Sequence, residues 1–140
     1  MSKPSSNENR TAPIGGAITT LIVDDSPRWV KSLRTFLARH PAIQVVGVAG
    51  DGLDGLEMIA SLRPALVLLD LQMPRLGGLE AAPLIRDQFP EVKVVMMTAH
   101  PQPDLEARCR ASGARALVAK SEVRPALLPA IRLLFPTTQP

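Results

Sequence analysis

Four short stretches place chemistry-bearing side chains where an apolar run stops. LIVDDSP, Leu21 to Pro27, ends in the adjacent carboxylates Asp24 and Asp25. VLLDLQMPRLGGLE, Val67 to Glu80, carries Asp70 after a run of aliphatic residues. TAH puts a hydroxyl at Thr98, and ASGARALVAK ends in the ammonium of Lys120. Three carboxylates gathered together repel one another and raise each other's pKa unless a cation relieves them. A hard divalent ion such as Mg²⁺ suits a site with few carboxylates and several retained waters. A carboxylate beside Mg²⁺ can attack phosphorus, while the metal, a lysine and a hydroxyl take up charge on the phosphoryl oxygens. Little more is required, because phosphoryl transfer is catalysed mainly by positioning and charge.

Those residues meet only if the intervening chain folds so as to bring them together. Five short apolar runs, TLIVDD, IQVVGVAG, ALVLLD, KVVMMTA and ALVAK, alternate with longer segments of helical period. In the first such segment Ser26 is a good N-cap and Pro27 a good first helical residue. Trp29, Leu33, Phe36 and Leu37 then repeat as an inward stripe, with Trp29 read as core near the acidic pair. Further helices are predicted over Gly52–Leu62, Leu79–Phe89, about Pro103–Ser112 and about Glu122–Phe135. A start near Glu80 would leave the missing N–H of Pro83 among the unbonded groups of a first turn, and Pro129 should bend or shorten the last helix. Alternating strand and helix implies right-handed crossovers and a parallel sheet covered on both faces, which explains continuous apolar runs. Ligands of such sheets bind beyond the carboxyl ends of the strands, where Asp24, Asp25, Asp70, Thr98 and Lys120 all fall.

Bulk composition supports this reading. A chain of 140 residues that is 46% hydrophobic and 21% charged fits one globular domain. Residues 1–17 are polar and without apolar period, and are predicted to be a flexible tail, followed by one domain over 18–135 and a short tail over 136–140. The single cysteine, Cys109, has no internal disulfide partner and reads as a small buried residue. No amino-terminal segment resembles a signal peptide or a membrane span, so the expectation is a cytoplasmic protein with no membrane association. The net charge of +3 is spread over scattered basic residues with only three Phe and one Trp, which argues against direct nucleic-acid contact. Gly50-Asp51-Gly52 reads as a turn into the second helix, since the longer phosphate-loop pattern is missing.

Taken in order and at these intervals, the acidic pair, Asp70 with Met73-Pro74 and Gly78, Thr98 and Lys120 make residues 18–135 resemble a response-regulator receiver domain of two-component signalling. That resemblance implies a chemotaxis-regulator-like, flavodoxin-like (βα)5 fold with strand order 2-1-3-4-5. It implies phosphorylation of Asp70 by a sensor histidine kinase, a phosphotransfer protein or a small phosphodonor. Asp25, Asp70 and the backbone carbonyl of Gln72 would bind Mg²⁺ directly, and Asp24 through water. Lys120 would pair with the phosphoryl group or Asp70, and Thr98 would follow the phosphoryl group. His100 and Gln72 would rim the pocket and tune attack by water. The surface of the fourth helix, fifth strand and fifth helix would then change its preference for a downstream protein or for a second copy of the chain.

The family's pattern is not matched throughout. Leu117 stands where an aromatic residue is common, three before the lysine, and there is no tyrosine. Ser121 follows Lys120 where proline is common, a variation found in regulators with a carboxyl-terminal helix-turn-helix domain. The sequence ends at Pro140, leaving a single-domain regulator and the receiver part of a longer gene product as alternatives. Two rival functions share the residues. A Mg²⁺-dependent phosphohydrolase would also use an aspartyl-phosphate, but haloacid-type phosphatases space their aspartates two apart and carry cap insertions. A non-phosphorylated scaffold would keep the fold alone.

Overall fold

A computed structural model describes residues 16–136. The expected tails lie outside the described residues, except for Gly16, Ala17 and Pro136. Strands and helices alternate as β1 Ile18–Val23, α1 Pro27–Leu37, β2 Ile43–Ala49, α2 Gly52–Leu62, β3 Leu66–Asp70, α3 Gly78–Gln88, β4 Lys93–Thr98, α4 Leu105–Ala111, β5 Ala116–Ala119 and α5 Val123–Leu134. The strands form one parallel sheet in the order β2-β1-β3-β4-β5. This is the flavodoxin-like arrangement expected from the sequence.

Successive side chains of a strand point to opposite faces, so each continuous apolar run supplies two cores at once. Ile22, Leu68 and Val95 join Leu33 of α1 and Leu127 and Ile131 of α5 on one face. Leu21, Leu69 and Met96 join Ile59 of α2, Ile85 of α3 and Cys109 of α4 on the other. All five residues of β3 are buried, as befits the central strand. Each fully buried Leu, Ile or Met contributes roughly 1.5–3 kcal/mol from removing its surface from water, and this holds the helices against the two faces of the sheet.

The first helix starts as its sequence dictates: the Ser26 hydroxyl accepts the Trp29 N–H at 3.3 Å, with Pro27 in the first turn. Its buried stripe is Val30, Leu33 and Leu37; Trp29 is only partly buried, which corrects its assignment to the core. The third helix begins at Gly78 instead of near Glu80, so Pro83 lies inside it. A β-carbon on Gly78 would sit 2.5 Å from the Asp70 carbonyl oxygen, and only glycine lets the helix begin pressed against the end of β3. The fourth helix is shorter than expected, and no side chain caps its start. The fifth runs through Pro129 to Leu134, neither broken nor shortened there.

Candidate functional site

Parallel register brings the strand ends level with one another. Val23 pairs with Leu69, which sets Asp24 beside Asp70. Asp70 pairs with Met97, one residue before Thr98, and Thr98 pairs with Ala119, one residue before Lys120. Asp24 and Asp25 thus stand just past β1 and not within it, and Lys120 opens a 3-10 turn, Lys120–Glu122, just past β5.

The side chains converge as this backbone requires. Asp24, Asp25 and Asp70 each present a carboxylate oxygen within 4.8 Å of the others. Asp24 and Asp70 are buried, whereas Asp25 is exposed. The Lys120 ammonium lies 2.8 Å from Asp24 Oδ2 and 3.4 Å from Asp70 Oδ1, so its closer partner is Asp24. The other oxygen of Asp24 accepts the Ser26 N–H at 2.9 Å. Both oxygens of Asp24 are therefore engaged. On its far side the Lys120 ammonium stands 5.2 Å above the Trp29 ring, whose buried indole N–H has no partner among the described residues. A cation over an indole face is attracted by the ring quadrupole, so Trp29 is a platform for the lysine.

Burial pushes the Asp70 carboxyl up to about 6, and the charge of Asp24 pushes the same way, opposed by Lys120. One ammonium does not relieve three carboxylates. The donor set is all hard oxygen, clustered at the spacing an ion would span, so these residues fit Mg²⁺.

Thr98 is buried at the end of β4, and its hydroxyl oxygen accepts the His100 N–H at 3.0 Å. It opens into a cavity of about 380 Å³ that Gln72, His100, Leu105 and Arg108 also line. Gln72 and His100 are exposed at its rim. Leu117, in place of an aromatic, is partly buried against the core that holds Met96 and Cys109. Cys109 is fully buried and burial pushes its thiol up, as a structural cysteine requires.

Sequence reasoning missed one feature, a set of ion pairs beside the pocket. Arg75, in the loop between β3 and α3, reaches Asp51 and Asp54 at the start of α2. Asp51 and Asp54, three apart at a helix start, were the only cue.

A doubly wound sheet whose strand ends hold clustered carboxylates, a hydroxyl and an ammonium defines a flavodoxin-like α/β domain with an acidic pocket. The family model described as "Response regulator receiver domain" matches residues 20–132. Among relatives, the protein-glutamate methylesterase/protein-glutamine glutaminase of Pyrococcus abyssi is 39% identical over 97 residues, 69% of this chain and 26% of that one. Response regulator GacA of Pseudomonas viridiflava is 34% identical over 118 residues, 84% of this chain and 55% of that one. A chain of the CheX-CheY-BeF3-Mg complex from Borrelia burgdorferi superposes with a TM-score of 0.80 at 25% identity, covering 86% of this chain and 91% of that one. The chain belongs to the response regulator receiver domain family, the signalling domain of two-component systems. That membership goes against the phosphohydrolase alternative. The chain spans about a quarter of the methylesterase relative and about half of GacA. No helix among the described residues is long and apolar enough to cross a membrane.

Proposed function

We propose that Asp70 is the phospho-acceptor of a Mg²⁺-dependent switch occupying residues 18–135. The observation that carries this reading is the meeting of Asp24, Asp25, Asp70 and Lys120 at one sheet edge. Asp25 and Asp70 would hold the metal directly, with the Gln72 carbonyl. Asp24 would act through water, because Lys120 and the Ser26 N–H already take both of its oxygens. Bound Mg²⁺ would offset negative charge on the phosphoryl oxygens and on the carboxylates. An Asp70 oxygen forms the new bond to phosphorus as the bond from phosphorus to the donor breaks. The Lys120 ammonium shifts from Asp24 toward the arriving phosphoryl group, guided by the Trp29 face. Thr98 donates its hydroxyl proton, which its bond to the His100 N–H leaves free.

The donor is a sensor histidine kinase or a phosphotransfer protein. The readout is a changed preference of the α4, β5 and α5 surface for a downstream protein or a second copy of the chain. We assign this segment no direct contact with nucleic acid, no membrane association and a cytoplasmic location. It assists its own phosphorylation and dephosphorylation as a signalling domain. Acetyl phosphate with Mg²⁺ should label the wild type, and Asp70→Asn should abolish the label. Label that survives Asp70→Asn would overturn the assignment, and a wild type that takes up no label and ignores beryllofluoride would be a scaffold.

A further inference from the structure

The loop of residues 71–77 follows Asp70 directly, lines the Thr98 cavity with Leu71, Gln72, Met73 and Gly77, and lies in neither helix nor strand. Arg75 is its anomaly. Its backbone sits at φ 68°, the left-handed region that residues with a β-carbon rarely occupy. Its guanidinium crosses to the start of α2, donating from Nε to Asp51 Oδ2 at 2.9 Å, and from Nη2 to Asp51 Oδ1 at 3.2 Å and Asp54 Oδ1 at 3.0 Å. Asp51 in turn caps α2 by accepting the Asp54 N–H at 2.9 Å. An exposed ion pair contributes little by itself. A two-toothed grip on a carboxylate that is only 14% exposed is stronger and fixes direction as well as distance.

Neighbouring residues make the same junction. The Gly52 N–H donates to the Leu76 carbonyl at 3.1 Å, and a β-carbon on Gly52 would clash with that oxygen. At its far end the loop is closed by the Gly78 N–H on the Leu71 carbonyl at 2.8 Å. The loop is thus fastened to α2 by Arg75 and Leu76 and to the start of α3 by Leu71. Gln72 lies between the fastenings.

We infer that Arg75 is a positioning residue for the metal: by clasping Asp51 and Asp54 it holds this loop in the conformation that presents the Gln72 carbonyl beside Asp25 and Asp70. The inference rests on the reading of Gln72 as a ligand. Arg75 touches neither the metal nor the phosphoryl group and acts only through the loop.

Calorimetric Mg²⁺ titration of the full chain tests it. Arg75→Gly is the informative variant, since glycine adopts positive φ without strain while deleting the clasp. Arg75→Gly and Arg75→Ala should each weaken Mg²⁺ binding roughly tenfold, the scale at which residues supporting metal ligands act. Saturating Mg²⁺ should restore the rate of Asp70 labelling by acetyl phosphate, and Arg75→Lys should recover part of the affinity. Asp54→Asn, at an exposed position, should weaken binding by a smaller factor and guards against a folding defect in the Arg75 variants. Unchanged affinity in both Arg75→Gly and Asp54→Asn, beside a wild type that binds Mg²⁺, would overturn the clasp and leave the proposed function standing. A wild type that binds no Mg²⁺ would remove both.

Discussion

At Asp70 the chemistry of the pocket becomes a question of stability. Its carboxyl is held at about 6 by burial and then by Asp24, above the roughly 3.9 of an unfolded aspartate. The folded protein therefore holds this proton more tightly than the unfolded chain does. The stabilisation is complete below about pH 4 and is lost as pH rises through about 6, because ionised Asp70 strains the metal-free pocket. Two pKa units correspond to on the order of 2–3 kcal/mol at neutral pH. With metal chelated, Asp70→Asn should melt at a higher temperature than the wild type at pH 7.5, and the advantage should vanish near pH 4. Saturating Mg²⁺ should reverse the ranking at pH 7.5. Thermal melts of both proteins at the two pH values, with EDTA or Mg²⁺, make the comparison. The residues behind this behaviour were legible in the sequence, because strand ends in a parallel sheet share an edge whatever the loops do. Arg75 was not legible. Its role depends on a left-handed backbone between Pro74 and Leu76 that no periodicity marks.

Elements were legible in kind and order, less so in where they start. Each strand announces itself by a continuous apolar run, and β3 is buried on both faces as that pattern demands. Helix starts answer to neighbours in space instead. The sequence places the start of this helix at Leu79 or near Glu80, yet α3 begins at Gly78 because the helix is seated against the Asp70 carbonyl. The early start puts Pro83 inside the helix, where the Leu79 carbonyl loses the N–H it would otherwise accept. Pro in a helix interior costs about 3 kcal/mol relative to Ala. Part of that is offset by up to about 1 kcal/mol, since proline also restricts the unfolded chain. Pro83→Ala should therefore stabilise the domain by about 1–2 kcal/mol, seen as a higher urea midpoint at unchanged slope. Labelling of Asp70 should be unaffected, since Pro83 does not line the pocket.

Across the whole molecule, one rigid sheet is shared by two cores, and an event at the strand ends can reach a distant partner only through what flanks those ends. In the proposed switch Thr98 would be that link: it is buried, adjoins Asp70 in register, and opens on a cavity lined by Leu105 and Arg108 of α4. Drawing its hydroxyl toward a phosphoryl group, as proposed, would vacate space beside α4. With Leu117 in place of an aromatic ring, aliphatic repacking would take up that space. On α5, Leu133 is 83% exposed, the most exposed large hydrophobic among the described residues. Burying such a side chain is favourable by roughly 1.5–3 kcal/mol, so a second copy meeting this face would gain that from each subunit. Sedimentation equilibrium should show beryllofluoride with Mg²⁺ shifting the wild type toward dimer. Leu133→Arg should abolish the shift and leave Asp70 labelling intact, because this exposed side chain belongs neither to the acidic cluster nor to the lining of the Thr98 cavity. A dimer that persists in Leu133→Arg would move the contact off α5, and a wild type that stays monomeric would assign the surface to a different protein.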